Sequence, residues 1–496
     1  MAIKDSSYEG SFQIPVPKGV YQAAGDTNIS VQYAYRAENM RTERGLLASA
    51  RGTSRAFPSL GVQIETLTRF YRRRKPDDPA VFVAGAGGKI YTYTMGTEGW
   101  VERASGFASN RWSCMTYEAV DNGENVDVLI MTNAQDGMIA VYGGDTIRVE
   151  KKTLAIGDDY KDVRFASISR HAERIWGTGA PGYPDSVFYS KPYDPFDWTG
   201  MPETPEMGGG VINQPTWDGD EFIALIPYGG YLLAVRGRTI FEIRGTDPST
   251  FTITEAYGTD GPVQERTICA DRLQVFYLAR SGLGMYDGST LSLLSRDALY
   301  ETMLMQQEGK QQAATACVCD HVYYLALCVK ENEGDVLSEN NAVIEFDTER
   351  GTFMIRKGIR VKDFYAIVGV VYYTQADSPY DVMRYNDPES GSYNGAPIKT
   401  LWETGWLDLG KTLMKRDFVL RFTAEADADD VPIELTIITD KKEKTKVCLL
   451  QKRRKDYRVK IQSAGVRIRL RISSGRKAAG WRIYGGVQVN YSVDEV

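Results

Sequence analysis

His171 and His321 are the two imidazoles of a 496-residue chain. A His-ligated metal site, or a Ser-His or Cys-His catalytic pair, would have to use one of them. His171 sits in the polar segment "SRHAER", and His321 precedes the strand-like "VYYLAL". Both contexts point to turn or surface roles. Six cysteines (Cys114, Cys269, Cys317, Cys319, Cys328 and Cys448) are scattered through apolar sequence. Cys317-Val318-Cys319 is not a C-x-x-C pair, and on a strand its two thiols would point to opposite faces. The opening Met1-Ala2-Ile3-Lys4 carries no signal-peptide pattern, so reduced thiols in a cytosol are expected.

Two glycine-rich stretches have the outline of phosphate cradles. Gly177-Thr178-Gly179-Ala180-Pro181-Gly182 spells G-x-G-x-x-G. That fingerprint needs a helix whose N-terminus receives the pyrophosphate. Here Pro181, Gly182 and Pro184 lead into a β-rich "SVFYS", which predicts a loop between two strands. "GAGGKI", from Gly85 to Ile90, has Val83 where a P-loop needs its first Gly and Ile90 where it needs Ser or Thr. It reads as a β-turn. Asp185, Asp194, Asp197, Asp218, Asp220 and Asp287 mostly sit in turns with Pro or Gly, where carboxylates cap backbone amides. "RRRK" (Arg72 to Lys75) and "KRRK" (Lys452 to Lys455) are short basic runs, read as solvated loops or partner contacts. No catalytic, cofactor-binding or metal-ligating residues are expected.

Such residues need elements to hold them, and composition bounds those elements. Hydrophobic content of 43% and charged content of 25% are those of an ordinary globular chain. The 30 Tyr and 48 Gly favour short strands and tight turns. The longest apolar run, Phe364 to Tyr373, is about half the length of a membrane helix, so no membrane spanning is expected. Net charge is −6, but residues 411–496 hold 20 Lys and Arg against 11 Asp and Glu, a net +9, leaving −15 upstream. A basic end on an acidic body suggests a partner surface.

A strand, turn, strand unit recurs along the chain. An aromatic precedes its turn at Tyr91, Tyr142, Tyr189, Phe241, Tyr286, Phe346 and Tyr385. Upstream of most units lies a more apolar run: "AVFVAG", "VDVLIMTN", "RIWGTG", "YLLAVRG", "LQVFYLARS", "VYYLALCV" and "FYAIVGVVYY". Spacings of about 40 to 60 residues match propeller blades, and each apolar run is expected to be the inner strand of its blade. The one helix candidate, from Ser295, reads as a short insertion. The predicted fold class is all-β: a β-propeller of about seven blades followed by a C-terminal antiparallel β-sandwich. Residues 1–60 form an N-terminal arm with strands, 61–398 the propeller and 399–496 the sandwich. A series of β-sandwiches is the alternative.

Near the end, Val466 to Ile472 alternates strictly. Val466, Ile468, Leu470 and Ile472 are expected to face a core, with Arg467, Arg469 and Arg471 on the other face. That row and the run Lys452, Arg453 and Arg454 are the candidate partner contacts. Three neighbouring arginines repel, so an acidic partner groove is one reading and a solvated face the other.

Several segments together resemble a family. "NISVQYAYRAENMRTERGLLASARGTSRAF" matches, at Asn39, Gly45, Leu47, Arg51 and Gly52, the N-terminal signature of β-propeller virion proteins of tailed phages. "RIWGTGAPGYPDSVFYSKPYDPFDW" is similar to the family's middle segment. Its matching positions include Arg174, Trp176, Gly179, Pro181, Pro184, Tyr189, Asp194, Pro195 and Trp198. "ETGWLDLG" looks like the strand that opens the family's C-terminal sandwich. The resemblance is closest to tail hub or nozzle (tail accessory) proteins of short-tailed bacteriophages. It implies a non-enzymatic virion protein, a homohexameric ring below the portal and its adaptor ring, and a channel for ejection of genomic DNA. Contacts to tail fibre or needle proteins follow too, with assembly in the host cytoplasm. The competing reading is a glycan-binding or glycan-cleaving propeller, which requires two or three acids and an aromatic converging on one pocket. A propeller scaffold of a cellular complex is the third.

Overall fold

The computed structural model describes residues 10–22, 29–43, 45–121, 123–144, 146–217, 219–256, 260–410 and 413–493. Five separate four-stranded antiparallel sheets follow one another along the chain. The first is built from Ile64–Phe70, Val81–Ala86, Lys89–Thr94 and Val101–Ser105. The second begins at Ser113–Asp121, the third at Ser167–His171, the fourth at Phe222–Tyr228 and the fifth at Cys269–Asp271. Next, Thr315–Cys319, Val322–Leu327 and Asn340–Asp347 pair in order with the first half of the long strand Thr352–Ile367. Its second half pairs with Val370–Gln375, which pairs with Val382–Asp387. Gly358, at φ +86°, gives the bulge between the halves a conformation other residues rarely adopt. The last sheet is completed from the far end of the chain: Gly52–Arg55 pairs with Val382–Asp387.

Consecutive sheets pack face to face across apolar clusters. Val83 and Ile90 of the first sheet meet Leu129 and Val141 of the second. Tyr117 and Val128 then meet Ile175 and Phe188; Trp176 and Tyr189 meet Leu232 and Phe241; Leu233 and Val235 meet Val275 and Tyr286. The circuit closes where Ile367 and Val382 pack on Ile64, Phe82 and Tyr93 of the first sheet. Each fully buried side chain of this kind is worth roughly 1.5–3 kcal/mol, so the junctions carry much of the fold's stability. Tyrosine hydroxyls stitch the same junctions: Tyr117 donates to Glu173 O, Tyr228 to Leu273 O and Tyr323 to Thr267 O, each at 2.7 Å. A closed circuit of four-stranded sheets around one cavity is a β-propeller.

The apolar runs correspond to the second strand of each sheet rather than the inner one; for "FYAIVGVVYY" the second strand is its Val370–Tyr373 half. The aromatics from Tyr91 to Tyr385 lie on third strands. The innermost strands are mixed in polarity, because one face lines the central cavity. The helix candidate at Ser295 forms two short helices, Ser295–Ala298 and Tyr300–Leu304.

Residues after 400 build two further sheets with one core. Lys415–Ala426 pairs with Lys455–Gly465 on one side and Trp481–Val493 on the other. Ile468–Ser474 joins Thr400–Glu403 to Val431–Thr439, which pairs with Glu443–Leu450. Phe418, Leu420 and Phe422 of the first pack with Leu435, Ile437, Leu470 and Ile472 of the second. The same cluster continues into Phe276, Leu325 and Phe353 of the propeller.

The N-terminal residues are distributed through both parts. Gly10–Ile14 and Leu46–Ser49 pair with Trp481–Val493, whereas Arg36–Glu38 pairs with Thr400–Glu403 and, through Glu38, with Ile355. Asn39, buried at φ +56°, pins the crossing. Its side-chain amide donates to Lys399 O at 2.7 Å, and its side-chain oxygen accepts from Lys357 N at 2.9 Å and Tyr393 Oη at 2.8 Å. Arg356, also buried, pairs with Glu345 at 3.0 Å and donates to Arg51 O at 2.6 Å, which holds the residue before Gly52–Arg55.

Gly52 leaves no space for a side chain: a Cβ there would lie 2.1 Å from Ser392 O. Gly52→Ala is therefore expected to lower stability by about 1–3 kcal/mol, the usual cost of overpacking. Gly99→Ala, where a Cβ meets nothing within 4 Å, should stay within about 0.5 kcal/mol of the parent. Parallel urea titrations check the pair.

Candidate functional site

The innermost strands converge on one cavity of about 390 Å³. Its lining comes from around the whole circuit: Glu65, Ser113, Ser167, Ala224, Thr315 and Asp363 come from six sheets, and Glu265 and Arg266 lie just before the fifth sheet's first strand. Three carboxylates and two guanidiniums line this space together with Tyr365, and Trp112 borders it with its indole packed on Phe107. Two of the acids are paired. Glu65 Oε2 lies 3.0 Å from Arg111 Nε, and Asp363 Oδ2 lies 2.9 Å from Arg266 Nη1. Asp363 Oδ1 also accepts from the Thr315 hydroxyl and, at 3.0 Å, from Phe364 N. Glu265 is exposed to the cavity yet enclosed by the ring. Desolvation raises its carboxyl above the ordinary range, against the pull of Arg266 and Arg111. Cys114 lines the cavity with its thiol pushed up to about 12 by burial, so it is not a thiolate nucleophile at neutral pH.

None of these polar residues stands out in the sequence. The usable signal is that each lies on the strand just before an apolar run, or on the segment leading into it. The turn carboxylates do what turn carboxylates do. Asp194 accepts from Phe196 N at 3.0 Å, Asp220 from Gly237 N at 3.0 Å and Asp287 from Thr290 N at 2.8 Å. Hydrogen bonds, led by that from Thr290, bring Asp287 down to about 2. Asp185 pairs with buried Arg236 at 3.1 Å, and Asp197 with Lys191 at 2.6 Å. Asp218 lies outside the described residues.

The G-x-G-x-x-G stretch forms the end of one strand and a tight turn. Gly177 is inside Arg174–Thr178, a correction to its expected place in the turn; a Cβ there would strike the Phe165 ring at 2.5 Å. Gly179 and Gly182 make the turn, at φ +69° and +86°. Arg174 is buried and donates to Ser190 O at 2.7 Å, Gly208 O at 2.5 Å and Glu206 O, holding the following excursion in place. Trp176 packs between Tyr189 and Phe251, at 5.0 and 4.8 Å between ring centres. Pro184 O accepts from Phe222 N at 3.0 Å, tying the loop to the next sheet. Pro181 lies in the turn, and Pro195 O accepts from the buried Trp198 indole at 3.1 Å. These residues hold a loop, with their donors directed at the chain itself.

In the C-terminal sheets, Val466 and Arg467 lie in a bend, and the alternating strand starts at Ile468. Ile468, Leu470 and Ile472 are buried as expected. Arg469 and Arg471 both pair with buried Glu403, at 3.1 and 2.5 Å, and Arg469 stacks on Trp406. The acidic partner of this row is thus supplied by the chain. Arg467, Lys452, Arg453 and Arg454 are exposed, with Arg454 over the Tyr484 ring at 3.9 Å. His171 meets Gly245 O at 2.9 Å, and His321 sits between Asp271 at 3.1 Å and Arg272 at 2.9 Å. Among the described residues no group of three or more His, Cys, Asp or Glu is arranged to hold a metal, and no helix is long and apolar enough to cross a membrane.

No family model and no curated protein matches this chain. Among solved structures it is similar to the Pan2 WD40 domain of Neurospora crassa at 10% identity, over 68% of this chain and 96% of that one, with a TM-score of 0.37. A chain of a mitotic checkpoint complex gives 8% identity over 66% and 96%, TM-score 0.35, and YjhT gives 9% over 70% and 97%, TM-score 0.31. With TM-scores this low, the fold assignment stands on the strand pairing and the shared cavity.

The raised Glu265 carboxyl carries a pH consequence. A carboxyl whose folded pKa lies above its unfolded value favours the fold below the unfolded value and opposes it as pH rises through the folded one. Glu265→Gln is therefore expected to raise the melting temperature at pH 7 and to lose that advantage below pH ~4. Thermal melts at the two pH values check it.

Proposed function

We infer that this chain is a non-enzymatic structural subunit of a short-tailed bacteriophage tail, a hub or nozzle protein. Its propeller has seven blades, the last completed by Gly52–Arg55, and its two C-terminal sheets form a sandwich. The observation that carries the reading is where the family-like residues lie. Asn39, Leu47 and Gly52 are buried where the N-terminal segment meets the propeller and the C-terminal sheets, and Arg174, Trp176 and Trp198 are buried inside the propeller. That is what a load-transmitting scaffold needs, and it is not how a catalytic centre is built. The subunit would assemble as a six-membered ring against the portal adaptor, contact fibre or needle proteins, and pass genomic DNA through the ring. An acidic body suits such a channel, because it repels DNA instead of gripping it.

One observation favours a second reading, a glycan-binding or glycan-cleaving propeller: Glu65, Glu265 and Asp363 share a cavity with Trp112 and Tyr365. Against it, two of the three acids are held in ion pairs, Glu65 with Arg111 and Asp363 with Arg266. Glycoside cleavage uses two carboxyl groups in different roles.

Native mass measurement and electron micrographs of the purified full-length chain, alone and with the adaptor protein, separate the readings. Six-fold rings are expected. A chain that stays monomeric in both conditions overturns the tail reading. Glycan-array binding or sugar release that disappears in Glu65→Gln and Glu265→Gln would establish the second.

A further inference from the structure

The two C-terminal sheets end at one open edge. Glu443–Leu450 is the outermost strand of one sheet and Lys455–Gly465 that of the other, each pairing with one neighbour among the described strands. The two strands touch, and the bend at residues 451–454 joins them. Residues 441–460, "KKEKTKVCLLQKRRKDYRVK", cover this edge with ten Lys and Arg against two Asp and Glu, a net +8. Nearly all of the +9 held by residues 411–496 therefore lies here. All ten cations are exposed. The two acids are engaged within the chain: Glu443 pairs with Arg471 at 3.0 Å, and Asp456 accepts from the Thr423 hydroxyl at 2.6 Å.

Four of the cations also have partners within the chain. Lys460 lies 3.5 Å from Asp417, Arg454 covers the Tyr484 ring, Lys455 approaches the Tyr457 ring, and Arg458 is engaged as well. Lys441, Lys442, Lys444, Lys446, Lys452 and Arg453 form no ion pair among the described residues. Lys444 and Lys446 stand opposite Ile437 and Leu435, on the core-facing side of their strand. Inward lysines of that kind deter edge-to-edge pairing. Lys441, Lys442, Lys452 and Arg453 lie in the flanking bends, where edge protection does not call for them.

The kind of partner follows from what accompanies the charge. Seven of the ten cations are Lys, a residue depleted at protein interfaces but suited to neutralising phosphates. Aromatic surface is not on offer: Tyr457 stacks on Phe422 on the core side, and Tyr484 lies under Arg454. A single strand needs aromatics on which its bases stack, whereas a duplex needs its phosphates met. The exposed aliphatics of the edge are Val447 and Leu449, far short of the apolar face of a membrane-surface element.

We propose that this edge binds the phosphate backbone of double-stranded DNA without sequence preference. The net −15 of the remaining chain repels the same backbone, so contact is confined to the edge and the chain is oriented on the duplex. One chain and one duplex suffice, so the proposal does not rest on the tail reading or on a ring.

Fluorescence anisotropy of a short labelled DNA duplex, titrated with the full chain at salt from about 50 to 200 mM, tests it. Six phosphate contacts give a slope of log K against log salt of about −5, equal for two unrelated sequences. The quadruple variant K441Q/K442Q/K452Q/R453Q is expected to keep the parent's melting temperature, to bind about tenfold more weakly or worse at ~100 mM salt, and to flatten the slope by about 3 to 4. R73Q/R74Q, which removes two cations from the propeller, should change neither affinity nor slope. If the quadruple variant fails to fold, K452Q/R453Q should flatten the slope by about half as much. A parent chain that ignores the duplex at ~50 mM salt overturns the proposal, as does a quadruple variant with the parent's affinity and slope. Binding to phosphatidylglycerol vesicles without binding to duplex would assign the edge to a membrane surface and overturn it. Capture of a polyglutamate peptide in preference to duplex would assign it to an acidic protein and overturn it too. Each of these outcomes leaves the tail reading standing.

Discussion

The buried Arg356 guanidinium is the interaction on which the rest of the molecule depends. A ring of sheets has no covalent closure, so its last sheet must be completed by strand pairing between distant parts of the chain. Here the pairing joins Gly52–Arg55 to Val382–Asp387. Arg356 holds that closure by donating to Arg51 O while pairing with Glu345, which also accepts from Tyr385 Oη at 2.7 Å. A guanidinium this deep is tolerable because its charge is met and its donors are shared among three elements. Removing it would leave Glu345 as an uncompensated buried charge beside the closure.

The closure fixes the cavity in turn. Thr352–Ile367 serves two sheets, and its second half carries Asp363 into the centre opposite Arg266. The carboxylates of the cavity therefore sit at positions set by the ring, two of them each in a salt bridge to the segment leading into another sheet: Glu65 with Arg111, Asp363 with Arg266. Such pairs are spokes between blades before they are anything catalytic. Each satisfies a charge that the converging strands force toward the axis. The same logic explains why polar residues there are numerous.

How much of this the sequence disclosed follows from which strands face what. Second strands are covered on both faces, so "YLLAVRG" and "VYYLALCV" stand out as apolar runs, and third strands announce themselves through the aromatic before each turn. The innermost strand has one wall against its neighbours and one against the cavity. "IETLTRF" consequently looks like any amphipathic strand, and the cavity's acids passed unnoticed with it. The role of the N-terminal residues was equally hidden, because pairing between Gly52 and Asp387 leaves no local pattern; only the turn at Asn39 and the glycine at Gly52 hint at a constraint. The arginine row was legible as alternation but not as chemistry. Glu403, which neutralises Arg469 and Arg471, lies more than sixty residues upstream, and nothing local couples them.

The basic character of the C-terminal part then divides into two populations. Arg469, Arg471 and Arg482 are spent internally on Glu403, Glu425 and Asp427. Arg421, Arg458 and the run from Lys452 to Arg454 are exposed, the last in the bend before Lys455–Gly465.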